Sequence, residues 1–311
     1  MRGTTQKAVL PAQPDGSAHL TTARGLIKWG EKKLAAAELC YGHGTREPLD
    51  EAVYLVFSAV GIEFYCDDAL LDRPLTEAQI QRAQAFIMAR IKTRKPAAYI
   101  TREAWFAGLG FYVDERVLVP RSPIAELIET GFSPWIKPEK ARRILDMGTG
   151  SGCIAIACAL AFPEAQVDAV DISLDALEVA QRNVARYQLR DRVELMHSDL
   201  FEGLQGRRYD LIVSNPPYVP THEIAELPAE YLHEPRVGLS GGQDGLAIVK
   251  RLLAQASKHL TEAGIVVVEV GDSEAALVSR YPQVPFLWLD FERGGEGVFL
   301  LQATELKEFF G

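Results

Sequence analysis

The sequence has only four cysteines, no long apolar run and fewer basic than acidic side chains, and each shortage removes a class of protein. Cys40, Cys66, Cys153 and Cys158 show none of the spacings of a structural metal site, so no metal is expected. Cys153 and Cys158 fall in an apolar stretch that reads as a buried helix, where they serve as small core residues in a reducing compartment. The longest apolar run, residues 153–162, is too short to span a bilayer. The start of the chain lacks the apolar centre of a signal peptide, so a cytoplasmic protein without a membrane partner is expected. Lysine and arginine total 33 against 42 aspartates and glutamates, a net charge of −9. A generic nucleic-acid binder usually carries a basic face, so a nucleic-acid substrate is not expected, whereas a basic protein partner is compatible. Internal repeats and low-complexity tracts are also missing.

What is present suits a soluble globular protein of two domains. The 311 residues are long for one compact domain, and 48% apolar with 24% charged leaves no room for extensive disorder. Residues 1–20, with Pro11, Pro14, Gly16 and Ser17, read as a flexible lead-in. Residues 21–97 read as a helical domain. Leu26, Trp29, Leu34 and Leu39 recur at roughly helical spacing, as do Val53, Val56, Phe57 and Val60, and then Ile80, Ala83, Phe86, Ile87 and Ile91. Thr76 is placed to cap the last of these helices. Residues 98–123 read as a β-hairpin linker: Tyr99, Ile100, Trp105, Phe106, Phe111, Tyr112, Val113, Val117 and Val119 are β formers, broken by Gly108, Gly110 and Asp114. A helix over 124–131 follows.

From residue 124 to 311 strands alternate with helices, which predicts a mostly parallel, doubly wound α/β sheet. Strands are expected at 144–147, 166–171, 193–197, 209–214, 265–270, 286–290 and 298–301. The last two are joined by Glu292-Arg293-Gly294-Gly295-Glu296-Gly297, too short for a helix, so they pair antiparallel.

Candidate ligand-binding residues cluster at the predicted strand ends. After the first strand comes Asp146-Met147-Gly148-Thr149-Gly150-Ser151-Gly152, followed by an apolar helix. Glycine at every second position lets the backbone turn tightly and approach a ligand. The spacing differs from the G-x-G-x-x-G of dinucleotide folds, and an ordinary glycine-rich turn is the alternative. The second strand ends at Asp171-Ile172, where a carboxylate can accept from ribose hydroxyls. The third ends in Ser198-Asp199-Leu200-Phe201, where Asp199 can accept from an adenine amino group and Leu200 or Phe201 can pack on the base. The fourth runs into Asn215-Pro216-Pro217-Tyr218, the most specific signal in the chain. Pro216 holds Asn215 extended, and two prolines remove two backbone donors, leaving acceptors in a rigid frame. A planar NH2 nitrogen is a poor nucleophile. Holding one for reaction takes two acceptors, here the Asn215 side chain and the Pro216 carbonyl, and an aromatic platform, here Tyr218.

The seven strands ending in an antiparallel pair resemble the S-adenosylmethionine methyltransferase (Rossmann-like) fold. The Asn-Pro-Pro-Tyr tetrapeptide resembles that of enzymes methylating adenine or cytosine amino groups and of protein N(5)-glutamine methyltransferases. The segments Arg94-Lys95-Pro96-Ala97-Ala98-Tyr99-Ile100, Trp105-Phe106, Phe111-Tyr112-Val113, Val119-Pro120-Arg121, Glu234-Pro235 and Leu239-Ser240-Gly241-Gly242-Gln243-Asp244-Gly245-Leu246 resemble the glutamine family. Release-factor members usually follow the Pro-Arg with Pro-Glu-Thr-Glu. Here Ser122-Pro123-Ile124 stands instead, and Tyr41-Gly42-His43-Gly44-Thr45 and Trp288-Leu289-Asp290-Phe291 resemble the branch acting on large-subunit ribosomal protein L3.

The resemblance implies S-adenosylmethionine as cofactor, held by Asp146, Gly148, Thr149, Gly150, Ser151, Gly152, Asp171, Ile172, Asp199, Leu200 and Asn215. It implies an acceptor glutamine held by Asn215, Pro216, Pro217 and Tyr218, and ribosomal protein L3 as partner. A release factor, or an adenine or cytosine in nucleic acid, is the alternative substrate. Leu200 stands where some relatives have tryptophan, and His43 is read as a structural loop residue. Glu223, Glu226, Glu230 and Glu234, in the loop 219–242, are expected to steer a basic partner, the alternative being a merely solvated face.

Overall fold

Three capped helices form where the helical periodicity runs. The computed structural model describes residues 20–64 and 66–311; apart from Leu20, the lead-in read over 1–20 lies outside them. α1 (Ala23–Ala35) starts at Thr22, whose hydroxyl accepts from the Gly25 N–H. α2 (Pro48–Val60) has proline in its first turn, where no donor is lost, and ends on Gly61 in the left-handed conformation. α3 (Glu77–Thr93) starts with a reciprocal capping box between Thr76 and Gln79. Leu39 falls beyond the end of α1. Gly30 lets α1 approach α3, because a Cβ there would stand 2.5 Å from Ile87 Cδ1. These helices belong to a unit made of residues up to 41 and 45–97. Inside it Arg90 donates to Glu51 at 2.6 Å and to the Cys40 carbonyl at 2.9 Å, so a buried charge is paired and hydrogen-bonded.

The second unit comprises residues 42–44 and 98–311. α4 (Ala97–Thr101) lies at the division. It is a departure from the β reading of Tyr99 and Ile100: the Tyr99 ring is buried from a helical turn, and its hydroxyl donates to the Val117 carbonyl at 2.5 Å. β1 (Ala104–Phe106) and β2 (Leu109–Phe111) form the expected hairpin. Its two-residue turn, Ala107-Gly108, has positive φ at both positions, which matches the twist of the strands. α5 (Ile124–Glu129) leads into the main sheet.

That sheet contains β3 (Arg143–Met147), β4 (Gln166–Asp171), β5 (Val193–His197), β6 (Tyr209–Ser214), β7 (Leu260–Glu269), β8 (Leu287–Trp288) and β9 (Val298–Gln302), in the order β5-β4-β3-β6-β7-β9-β8. β3 to β7 run parallel, and β9 inserts antiparallel between β7 and β8. The flanking helices are α6 (Cys153–Ala161), α7 (Leu174–Arg186), α8 (Arg236–Leu239), α9 (Ala247–Ala256), α10 (Glu274–Arg280) and α11 (Ala303–Phe310). Both sheet faces are covered: Ile144, Val167, Leu211, Val213 and Ile265 join one core, and Leu145, Met147, Ile212, Val266 and Val268 the other. Strand order reverses about β3, so the crevice at the carboxyl ends of β3 and β6 is the topological switch point, where open α/β sheets bind ligands.

Cys153 and Cys158 are buried in α6, and burial pushes the Cys153 thiol up to about 12, which removes it from nucleophilic chemistry near neutral pH. No helix among the described residues is long and apolar enough to cross a membrane.

Candidate active site

The carboxyl ends of four parallel strands are held in register. Met147 lies opposite both Val170 and Ser214, and Asp171 lies opposite His197. The Ser214 hydroxyl donates to the Met147 carbonyl at 2.7 Å, tying the glycine loop's strand to the Asn-Pro-Pro-Tyr strand.

In the glycine loop, Gly148, Gly150 and Gly152 all take positive φ, at 76°, 54° and 79°. A side chain would strain each of these turns. Gly148 and Thr149 donate their N–H groups to the Val170 carbonyl, both at 2.9 Å. Three of the residues read as cofactor ligands turn their side chains into the loop's own frame. Asp146 is fully buried, with Oδ2 accepting from the Thr149 hydroxyl at 2.6 Å and from the Ala155 N–H at 3.0 Å. Its Oδ1 has no partner among the described residues. Burial pushes its carboxyl up to about 7, against the pull of those two donors and with Asp171 nearby adding to the rise. Thr149 and Ser151 are buried as well.

Asp171 is half-buried. Its Oδ2 accepts from the Gly150 N–H at 2.9 Å and its Oδ1 from the Ser173 N–H at 2.8 Å, so it braces the glycine loop and the start of α7 together. Burial raises its carboxyl above the usual range despite these donors. Each oxygen retains a lone pair for a ligand hydroxyl. Beside it Ile172 is 52% exposed and Leu174 63% exposed, an apolar rim at a strand end. A Cβ added at Gly148 or Gly150 would meet nothing within 4 Å, so the loop borders open space. Open space beside the side-chain-free glycine backbone, a carboxylate and an apolar rim fits a nucleoside-bearing ligand.

At the end of β5 the expected residues diverge. Asp199 is engaged by Arg251 at 2.9 Å. Phe201 is turned into the core, stacked on His259 at 4.5 Å between ring centres, and Leu200, 7% exposed, is buried in the same core. Leu200 has φ of 52°, a conformation unfavourable for a leucine, held by the Ser198 hydroxyl donating to its carbonyl at 2.8 Å.

At the end of β6, the half-buried Asn215 side chain makes no hydrogen bond among the described residues. Tyr218 is fixed at several points. Its hydroxyl donates to Glu269 Oε1 at 3.0 Å and its carbonyl accepts from the Ser273 hydroxyl at 2.8 Å. A Cβ at Gly271 would come within 2.7 Å of the ring. Burial, with the Glu269 carboxylate next in effect, pushes the phenol well above its usual range, so it stays protonated.

Several functional neighbours escaped the sequence reading. Ser122 donates to Glu269 Oε2 at 2.5 Å, and burial raises the Glu269 carboxyl. The available signal was a glutamate closing an otherwise apolar strand. Glu234, read as a steering charge, is instead buried. It takes Arg121 in a bidentate pair at 2.6 and 2.9 Å, accepts the Val119 N–H at 3.0 Å, and lies 3.4 Å from His43 Nε2. Glu230 is also buried, which leaves Glu223 and Glu226 as the exposed acids of that quartet. The loop after Tyr218 is closed at its base by Val219, whose N–H donates to Leu239 and whose carbonyl accepts from Gly241.

Removing the Asp171 carboxylate should weaken nucleoside binding. Hydrogen bonds to a charged acceptor contribute about 1.5–3 kcal/mol, so Asp171→Ala is expected to lose about tenfold or more in S-adenosylmethionine affinity by calorimetry. Unchanged affinity would reduce Asp171 to a loop brace.

Comparison with known proteins identifies the family and the fold. A family described as "Methyltransferase small domain" matches residues 132–234. The ribosomal protein uL3 glutamine methyltransferase of Francisella tularensis subsp. tularensis is 45% identical over 298 residues, 96% of this chain and 95% of the relative. The protein of the same name from Bordetella pertussis is 45% identical over 295 residues, 94% of this chain and 99% of the relative. Among solved structures, the hMettl16 catalytic domain in complex with MAT2A 3'UTR hairpin 6 shares the fold, with a TM-score of 0.50 at 18% identity over 73% of this chain and 82% of that one. With identity at this level along nearly its whole length, the chain belongs to the family of ribosomal protein uL3 glutamine methyltransferases.

Proposed function

We propose that the protein transfers a methyl group from S-adenosylmethionine to the side-chain amide nitrogen, N(5), of a glutamine in ribosomal protein uL3. The observation that carries this reading is the Asn215 carboxamide at the switch point, without a hydrogen bond among the described residues and followed by two prolines and an anchored tyrosine. Family membership supplies the acceptor class.

S-adenosylmethionine, when bound, supplies a methyl group made electrophilic by a sulfonium. Gly148, Gly150 and Gly152 would hold it through their backbone, Asp171 through its free lone pairs, and Ile172 and Leu200 through apolar contact. Asp146, Thr149 and Ser151 would act by shaping the loop. The acceptor side falls to Asn215–Tyr218. The Asn215 carbonyl oxygen and the Pro216 carbonyl accept the two amide hydrogens, and Tyr218 supports the amide plane. An amide nitrogen has its lone pair delocalised, so orientation and pre-set dipoles must do what basicity does elsewhere. Asn215 takes no proton. Once the nitrogen is alkylated its proton is very acidic, and water removes it.

Partner choice lies outside this pocket, which sees only one glutamine. With two of the four loop glutamates buried, steering of a basic protein falls to Glu223, Glu226 and the general acidity of the chain. The assay is methylation of purified uL3 and of a release factor, side by side at low and moderate salt. We expect uL3 to be the better substrate, with kcat/KM falling as salt screens charges over about 8–10 Å. Equal or better methylation of the release factor would reassign the substrate. Label that is lost to nuclease rather than protease in a cell extract would reassign the acceptor to nucleic acid.

A further inference from the structure

Glu269 is buried at the end of β7 and forms no ion pair among the described residues. Both its oxygens are taken by hydroxyls, Oε2 by Ser122 at 2.5 Å and Oε1 by Tyr218 at 3.0 Å. The cation that acts on it electrostatically, Arg121, is committed bidentately to Glu234. A carboxylate buried without a cation is costly, and an apolar side chain of similar size would fill the space without that cost. Its geometry offers a use. A tyrosine hydroxyl lies on the axis about which the ring spins. A hydrogen bond to it therefore fixes where that axis points and leaves the spin free. The spin is stopped separately: the backbone of Gly271 lies so close to the Cδ2, Cε2 and Cζ atoms that a Cβ there would stand 2.7–3.2 Å from them. Glu269 is in turn held by Ser122, whose hydroxyl also accepts from the Ile124 N–H at 3.2 Å and so has a fixed direction.

We propose that Glu269, oriented by Ser122, is a positioning residue of the acceptor site: it fixes the axis of the Tyr218 ring and hence the plane against which the acceptor amide is held. The inference rests on the reading of Asn215–Tyr218 as that site. It requires Glu269 and Tyr218 to act as one unit through a single hydroxyl, which a purely structural glutamate would not.

The test is a double-mutant cycle with Glu269→Ala, Tyr218→Phe and the pair, with Glu269→Gln as the conservative variant. Each single change is expected to lower kcat about tenfold through misplacement of the amide, with the pair no worse than Glu269→Ala alone. KM and cofactor affinity should hold steady. Glu269→Gln, which keeps one acceptor for the phenol and one group for Ser122, should recover most of the loss. Where Glu269→Ala does not fold, Ser122→Ala with Tyr218→Phe gives the same cycle. Losses that multiply in the double variant, a glutamine variant as poor as alanine, or a parallel fall in cofactor affinity would each overturn the proposal. A readout free of substrate separates this from failure of the functional reading. In protein labelled with fluorotyrosine, the fluorine resonance assigned by its absence in Tyr218→Phe should shift and broaden in Glu269→Ala, where the ring axis is freed while Gly271 still blocks the spin. An unchanged resonance refutes the positioning role even if uL3 is methylated. A wild-type protein that leaves uL3 unmethylated refutes the functional reading even if the resonance responds.

Discussion

Asn215→Ala is expected to lower kcat by about a hundredfold or more, the usual cost of losing one preorganised polar contact to a reacting group. S-adenosylmethionine affinity should change little, because the role proposed for the carboxamide is toward the acceptor and it takes no part in the glycine loop's hydrogen bonds. Cofactor binding by calorimetry and single-turnover methylation of uL3 separate the two effects. The size follows from the chemistry. An amide nitrogen has no free lone pair to offer, so the barrier falls only if the group is held flat and aimed. On the proposed reading Asn215 and the Pro216 carbonyl are the two acceptors for its hydrogens, and losing one would let the amide rotate. The same logic bars glutamate as an acceptor, since a carboxylate brings no hydrogens and leaves both acceptors unpaired. Turnover of the alanine variant within about threefold of wild type would remove Asn215 from the mechanism.

The parts of this site that the sequence announces are those built from neighbours along the chain. β3 to β6 were legible because each is a short segment with an apolar centre set between helical patterns, and their expected bounds agree with the structure to within a residue. β7 begins five residues earlier than the reading at 265, because Thr261-Glu262-Ala263-Gly264 looks like a turn yet continues the strand. β8 is only Leu287–Trp288. Phe286, Trp288 and Phe299 pack ring against ring there, so aromatic burial rather than a ladder produced the strand-like signal. Tyr99 and Ile100 read as β formers but sit in a helix, where tertiary burial of the tyrosine overrides propensity.

Pairings across the fold were not legible. Ser122 and Glu269 lie 147 residues apart, and Arg121 and Glu234 lie 113 apart. In a sequence, a glutamate among other glutamates on a loop looks solvated, and only the fold shows that two of the four are buried. The consecutive residues Arg121 and Ser122 thus grip two buried glutamates, one on the loop after Tyr218 and one bonded to Tyr218 itself. The Asn215–Tyr218 motif is local, but part of what holds it comes from Arg121 and Ser122, far upstream in the chain.

That dependence gives Glu234→Ala a large expected effect on stability. Breaking a buried pair by deleting one member typically costs about 3–5 kcal/mol, because the partner stays behind uncompensated. Here the loss removes the guanidinium's carboxylate, leaving Arg121 its bond to the Val119 carbonyl at 3.3 Å and its position over the Tyr231 ring, and frees the Val119 N–H. An independent estimate comes from protonation. Burial alone would raise the Glu234 carboxyl, but His43 and Arg121 outweigh it and hold the group at about 2, against an ordinary 4.5. A depressed carboxylate stabilises the fold above its unfolded pKa and loses that contribution as pH falls through its folded one. The window is therefore about pH 4.5 down to 2, and the contribution integrates to roughly 3 kcal/mol. The two routes agree. In urea unfolding near neutral pH, Glu234→Ala should lose about that much, and acidification from pH 5 to 2.5 should then destabilise it less than the wild type. Hydrogen exchange should rise over residues 228–240, where Glu234 is the anchor, and stay unchanged in the helices of the first unit. Equal stability at neutral pH with the same acid response would mean that the pair contributes nothing and that the loop after Tyr218 is held by its Val219 backbone bonds alone.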